Sequence, residues 1–360
     1  MKRVFIYTAA AVLFLSGCSG VNVPDKEPGS QEWLDDTSLP VPVMFSGMGM
    51  SFETRAGIID GQILADGHLG IFGLSVSHND DGTVSPKWNP GVDGQILLEN
   101  AEAFTDSYGN LSLSETAYYP MDNRYTYSFY AYYPYNVNST FNSADYIVTY
   151  TDEDGLGNID ILYAYDDAES VDGVNGFNAD YIRHISGDDA NLPHFHLEHK
   201  VAALNFVARL APDATVSNVT ISGIEILDAP VSADLYIATR ATERTELGKI
   251  LAMKYGPVSL LKPSGNGYTD QLDVVPTEDG AELGTFLLVP STYKAESGYR
   301  ARVHLVYENG ETDTVEANIP CPEGNFQLAK QYTVYLTVRS ADSVTFGGTS
   351  VGSYDIVENW

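Results

Sequence analysis

From Val41 onward, apolar and polar residues alternate with a period of two, and Gly, Asn, Asp and Pro interrupt the alternation every few residues. His68-Leu-Gly-Ile-Phe-Gly-Leu-Ser-Val76 followed by Asn79-Asp-Asp-Gly82 shows the pattern, a strand and then a turn. The clearest strand signal is Arg124-Tyr-Thr-Tyr-Ser-Phe-Tyr-Ala-Tyr-Tyr-Pro-Tyr135. Tyr125, Tyr127, Phe129, Ala131 and Tyr133 share one face, Thr126, Ser128, Tyr130 and Tyr132 share the other, and Pro134 closes the run. Further strands are predicted over 146–150, 159–165, 201–210, 219–227, 233–238, 285–289, 300–307 and 331–338. One stretch, 95–104, carries a short helical signal, and nothing sustains a 3.6-residue period for long. Many short strands with turn-rich links predict an all-β chain built as antiparallel sandwiches.

A chain of 360 residues has room for two compact domains. A turn-rich acidic stretch over 166–189 leads to Asn191-Leu-Pro193, and a new strand opens at His194, which places a division between 41–192 and 193–360. No fixed-period repeat is present, so two divergent sandwiches are expected rather than a solenoid or propeller. Ser19-Gly-Val-Asn-Val-Pro-Asp-Lys-Glu-Pro-Gly-Ser30 is rich in turn formers, and residues 18–40 read as a flexible tether. Ahead of it, Lys2 and Arg3 precede an apolar run over 4–15, which suits a signal peptide (1–17) and is short for a membrane-spanning helix. Leu15-Ser16-Gly17-Cys18 resembles a bacterial lipobox, which implies that Cys18 is acylated and that a lipid holds the chain to its membrane. An ordinary signal peptide with an incidental cysteine is the plainer alternative.

The chain has 49 Asp plus Glu against 19 Lys plus Arg, a formal net charge of −30, and only Arg55, Lys87 and Arg124 are basic between Glu27 and Ile182. Phosphate recognition needs a positive patch, so nucleic acid is excluded as a partner. Cys321, between two prolines, is the only other cysteine. With Cys18 lipidated no intramolecular disulfide forms, and Cys321 reads as a small packed or turn residue, not a catalytic thiol.

Several motifs touch on chemistry without completing it. Gly348-Thr-Ser-Val-Gly352 has the spacing of a nucleophile elbow at Ser350, but no histidine follows it. In Asp152-Glu-Asp-Gly-Leu-Gly-Asn-Ile-Asp160 a calcium-loop register would place Tyr150 and Ile161 at its end ligand positions, so an acidic turn between strands is expected. His194 and His196 share a strand face with His199 out of phase, which suits a surface pair and one structural histidine better than zinc. The tyrosines over 125–135 suit either a sugar-stacking platform or a sandwich core, and their regular alternation favours core. No catalytic, cofactor-binding or metal-ligating residue is nominated, and the chain reads as a non-enzyme.

Taken in order, the lipobox at Cys18, Phe52-Glu-Thr-Arg-Ala56, His68-Leu-Gly-Ile-Phe72, Tyr118-Tyr-Pro120, Phe129-Tyr-Ala-Tyr-Tyr-Pro134 and Asp160-Ile-Leu-Tyr-Ala164 resemble the fimbrillin family, in particular its Mfa-like branch. Phe195-His-Leu-Glu-His-Lys-Val-Ala-Ala-Leu-Asn-Phe206, Leu287-Leu-Val-Pro290 and Ile356-Val-Glu-Asn-Trp360 continue the match to the end of the chain. The resemblance implies two tandem transthyretin-like antiparallel β-sandwich domains. It implies a fimbrial (pilin) subunit or fimbria-associated adhesin, an outer-membrane lipoprotein at the cell surface in a fimbrium, with a host or bacterial surface receptor. It also implies that an Arg-directed protease cuts the Arg55-Ala56 bond. Loss of the preceding residues, including 41–52, would then open an apolar groove, and subunits would join by strand addition using the apolar stretch 344–357. Arg55 pairing with a carboxylate at a strand end stays open beside this. So does a non-polymerising glycan-binding lipoprotein that uses exposed tyrosines.

Overall fold

The aromatic strand Thr126–Tyr133 lies at the centre of the architecture. It pairs antiparallel with His68–Val76 on one edge and with Leu162–Asp166 on the other, and its two faces enter different cores. Tyr127, Phe129 and Ala131 are buried in one core, Tyr130 and Tyr132 in the other. Both faces must therefore be apolar or aromatic, which explains the density of rings in this run. The Tyr132 hydroxyl is satisfied inside its core, its one proton lying between Asn100 Oδ1 (2.6 Å) and the Asn136 carbonyl (2.9 Å).

The computed structural model describes residues 29–46, 51–54, 57–63, 66–76, 96–121, 125–141, 145–166, 176–184, 192–216, 218–239, 247–264, 267–323, 325–340 and 343–353. Over these the chain is nearly all β, as its periodicity predicts. Eight strands form the sheet around Thr126–Tyr133. Their order is Gly57–Ile63, Ser51–Thr54, His196–His199, Leu162–Asp166, Thr126–Tyr133, His68–Val76, Ile96–Thr105 and Leu111–Leu113. Only Ser51–Thr54 beside His196–His199 is a parallel pair in this sheet.

A six-stranded sheet runs Thr312–Ile319, Tyr299–Tyr307, Val219–Thr239, Asp145–Thr151 and Ser139–Phe141, with Ile250–Ser259 on the free edge of Val219–Thr239. A four-stranded sheet runs Ala281–Leu288, Ala202–Leu210, Lys330–Ser340 and Ser343–Ser353. Ala202, Leu204, Phe206, Phe286, Val334 and Leu336 of this sheet bury against Val219, Ile221, Ile224, Val303 and Leu305 of the six-stranded one. Alternate residues of each strand supply that core, as in a face-to-face sandwich.

Two expectations change. Of the residues 95–104 expected as helical, 96–104 belong to a strand, Ile96–Thr105, paired with His68–Val76 and Leu111–Leu113. Its mixed composition is tolerated because Asn100 takes a left-handed φ of 48° beside a register shift, and its side chain donates to the Asn136 carbonyl at 2.9 Å. The strands expected over 219–227 and 233–238 are one strand, Val219–Thr239. Strand pairing links residues on either side of 192/193: His196–His199 joins Leu162–Asp166, and Val219–Thr239 joins Asp145–Thr151.

Gly70 lies where His68–Val76 passes the Tyr132 ring, and a Cβ there would overlap the ring that Asn100 and Asn136 hold in place. Gly70→Ala is expected to destabilise the protein by about 1–3 kcal/mol, whereas Gly267→Ala, whose Cβ meets nothing within 4 Å, stays within about 0.5 kcal/mol. Denaturant unfolding of the two variants checks this, and equal midpoints would refute the close approach.

Candidate functional site

Residues 29–46 run into the face of the eight-stranded sheet opposite the six-stranded one. Ser30 caps a single turn of helix, Gln31–Leu34, by accepting the Trp33 N–H on its hydroxyl. The turn delivers Trp33 and Leu34 to the core, and the Trp33 indole N–H returns to the Pro40 carbonyl at 2.7 Å. Beyond it, Val41, Val43 and Phe45 alternate inward. Val41 pairs with Tyr119, and the Val43 N–H donates to the Ala117 carbonyl at 2.9 Å. The Phe45 ring packs edge-on to Phe129 and tilted against Phe195, at 5.6 and 5.5 Å between centroids. Trp33, Leu34, Val41, Val43 and Phe45 are all buried, and five such side chains contribute on the order of 10 kcal/mol as an upper estimate. Residues 30–40, expected as the end of a tether, are thus a packed part of the fold.

Polar contacts fasten the same segment. Arg183, on the helix Ala179–His184, donates from one terminal nitrogen to the carbonyls of Leu34 (2.6 Å) and Asp36 (3.0 Å), and from the other to the carbonyl of Leu39. A short helix leaves its last carbonyls without internal partners, and a cation meets that need. At the far end the Ser46 N–H donates to the Pro193 carbonyl at 3.1 Å, and Ser46 Oγ shares a hydrogen bond of 2.7 Å with His194 Nδ1. Burial first, and then the neighbouring His196, hold His194 below the ordinary histidine range, against an opposing pull from Asp166.

Cys18, Arg55 and Ala56 lie outside the described residues. The strands on either side of Arg55-Ala56, Ser51–Thr54 and Gly57–Ile63, pair antiparallel with Thr54 opposite Gly57. The other motifs are dispersed. Ser350 sits within Ser343–Ser353 opposite Thr333 in a ladder, not on a strand-to-helix turn. Asp154 is used as a cap, accepting from the Thr151 N–H and hydroxyl, while Asp160 meets the buried His199 at 2.8 Å. The His194 and His196 rings touch at 4.5 Å, and no group of three or more His, Cys, Asp or Glu among the described residues is arranged to hold a metal. The Cys321 thiol is pushed up by burial and donates weakly to the Lys294 carbonyl. Tyr127, Tyr130 and Tyr132 are core residues and present no platform to a sugar.

The comparison with family models returns the fimbrillin-like family over residues 54–353. The chain belongs to the fimbrillin-like family. Similar solved structures include a fimbrial protein from Bacteroides vulgatus, at 12% identity and TM-score 0.48, covering 86% of this chain and 99% of that one. The fimbrial anchor protein Mfa2 from Porphyromonas gingivalis matches at 9% identity and TM-score 0.38, covering 85% and 96%. The tip fimbrial protein Mfa3 from the same organism, truncated at its C-terminus, matches at 13% and 0.35, covering 81% and 95%. No curated protein matches the chain.

Sequence reading of this fimbrillin-like chain missed Trp33 and Arg183. Both had a signal: an indole inside a supposed tether, three residues after a capping serine, and the first arginine after a long acidic stretch. His194 has a consequence for pH. Its folded-state value lies below the unfolded one, so the unfolded chain binds the proton more readily, and stability declines as pH falls through about 6.5. His194→Asn is expected to flatten part of the fall in thermal midpoint between pH 7.5 and 5. A decline identical to that of the parent protein would uncouple His194 from it.

Proposed function

We propose that this fimbrillin-like protein is a cell-surface fimbrial subunit or fimbria-associated adhesin. It is exported as a lipoprotein through Cys18 and joined to other subunits by strand addition once the residues up to Arg55 are removed. The observation that supports this reading is where those residues sit. They supply Trp33, Leu34, Val41, Val43 and Phe45 to a core, together with Ser51–Thr54, the parallel neighbour of His196–His199. Their loss would leave an apolar groove beside an unpaired strand edge, a surface that favours capture of a strand from a partner. Subunits would then meet their neighbours end to end, and a receptor on host or bacterial surfaces would be met by the assembled fimbria. No catalysis is assigned to it.

Intact-mass and N-terminal analysis of protein taken from the cell surface tests the reading. A chain beginning at Ala56 is expected, and Arg55→Ala is expected to abolish both that start and the laddered oligomers seen on mildly denaturing gels. An acylated chain beginning at Cys18 together with undiminished ladders in Arg55→Ala would overturn the trimming step.

A further inference from the structure

Among the described residues, Arg183 is the cation that closes the seat of residues 29–46, and it reads main chain. Arg183 meets the carbonyls of Leu34, Asp36 and Leu39, three positions that belong to no regular ladder. The strand pairing that does hold the segment is short, two residues of Val41–Pro42 against Tyr118–Tyr119. Ordinary ladder hydrogen bonds are therefore few where the guanidinium is used. Charge-assisted bonds in a partly buried place are the stronger kind, and a planar fork that has lost its acceptors must be rehydrated or paired again. The apolar contacts of Trp33, Leu34, Val41, Val43 and Phe45 have no direction; Val43 and Ser46 fix the main chain at its far end, and Arg183 fixes where the stretch from Leu34 to Leu39 sits.

We propose that Arg183 is a latch. It holds the N-terminal segment in its seat after the main chain has been cut downstream, so that the severed segment leaves when another main chain offers carbonyls in its place, and not on cutting alone. The inference rests on the reading that this segment is separable. It adds that cutting and opening are two events, with Arg183 as the positioning residue for the second.

A site-specific protease sequence in place of residues 47–50 of the otherwise intact chain allows cutting after folding. Retention of the severed segment is followed by native mass spectrometry, and its replacement by a fluorescent peptide of residues 29–46. The cut parent protein is expected to keep its segment through gel filtration. Arg183→Met should release it about tenfold or more faster, and Arg183→Lys, which keeps the charge and loses the fork, should fall between. An ester in place of the Asp36–Thr37 amide of the peptide weakens one acceptor without touching the protein, and should shorten the residence of the peptide roughly threefold on the parent.

Immediate release from the cut parent, or equal release from Arg183→Met, would overturn the latch. Should Arg183→Met not fold, as judged by thermal unfolding before cutting, an unchanged residence time for the ester peptide overturns it instead. The outcomes separate this inference from strand addition. A segment retained by Arg183 in a protein that never forms ladders after exchange supports the latch and removes the assembly reading. Ladders that form while Arg183→Met releases no faster than the parent do the reverse.

Discussion

One strand has to satisfy two cores, and most of the architecture follows from that. Val219–Thr239 sends Val219, Ile221, Ile224, Ile226 and Ala229 into the core against the four-stranded sheet, and Ala233, Leu235, Ile237 and Ala238 into the core behind Thr126–Tyr133. One of its edges is paired by Ile250–Ser259. On the other edge Tyr299–Tyr307 ends opposite Ile226 and Asp145–Thr151 begins opposite Ser232. Residues 227–231 span that change of partner, and Pro230 sits there opposite Tyr255 of Ile250–Ser259, beside a register shift of the kind that tolerates proline. Asp228 substitutes for the missing neighbour, accepting the Arg300 N–H at 2.8 Å on one oxygen and meeting Lys294 Nζ at 2.5 Å on the other. A carboxylate with two such donors is a better tenant of the gap than a bare carbonyl.

Continuity of that strand makes the eight-stranded sheet a middle layer. One of its faces is covered by the six-stranded sheet, with Tyr163 reaching through to donate its hydroxyl to the Ile237 carbonyl at 2.6 Å. The other face carries Tyr127, Phe129 and Phe195; among the described residues its cover is provided by residues 29–46, with Val41–Pro42 paired to Tyr118–Tyr119, and by the helix Ala179–His184. A sheet face with this much aromatic area cannot stay exposed in a lone subunit without becoming adhesive. The same surface is thus structural while the segment is seated, and it would be associative if the segment were removed.

What the sequence disclosed divides along physical lines. Period-two alternation identified Thr126–Tyr133, and the assignment of Tyr130 and Tyr132 to one face and Tyr127 and Phe129 to the other agrees with their two cores. Alternation reports local geometry, and these strands obey it. It did not reveal that 219–227 and 233–238 are one strand, because Pro230 is a break in any local reading and is tolerated only through its position between two neighbours. Residues 95–104 gave a helical signal since their composition favours no state strongly, and pairing on both edges decided for the strand Ile96–Thr105. The seat was illegible for a similar reason. Trp33 and Arg183 are separated by most of a domain in sequence, and backbone carbonyls, which carry no sequence signature, are what join them.

Any chain that competes for the seat has to match two kinds of contact. Arg183 accepts any main chain that presents carbonyls at the right places, so it discriminates by register and not by residue type. The pockets filled by Val41, Val43 and Phe45 discriminate by side chain, at a spacing of two. Val344 and Phe346 have that spacing, but both are buried in the chain's own core, and Ser343–Ser353 is hydrogen-bonded along Lys330–Ser340. Giving that strand to another subunit would open the donor's own sandwich as it closed the acceptor's. Such an exchange would be favourable only if the acceptor's bare groove cost more than the donor's lost edge, and the large aromatic face beneath residues 29–46 would weigh toward the acceptor.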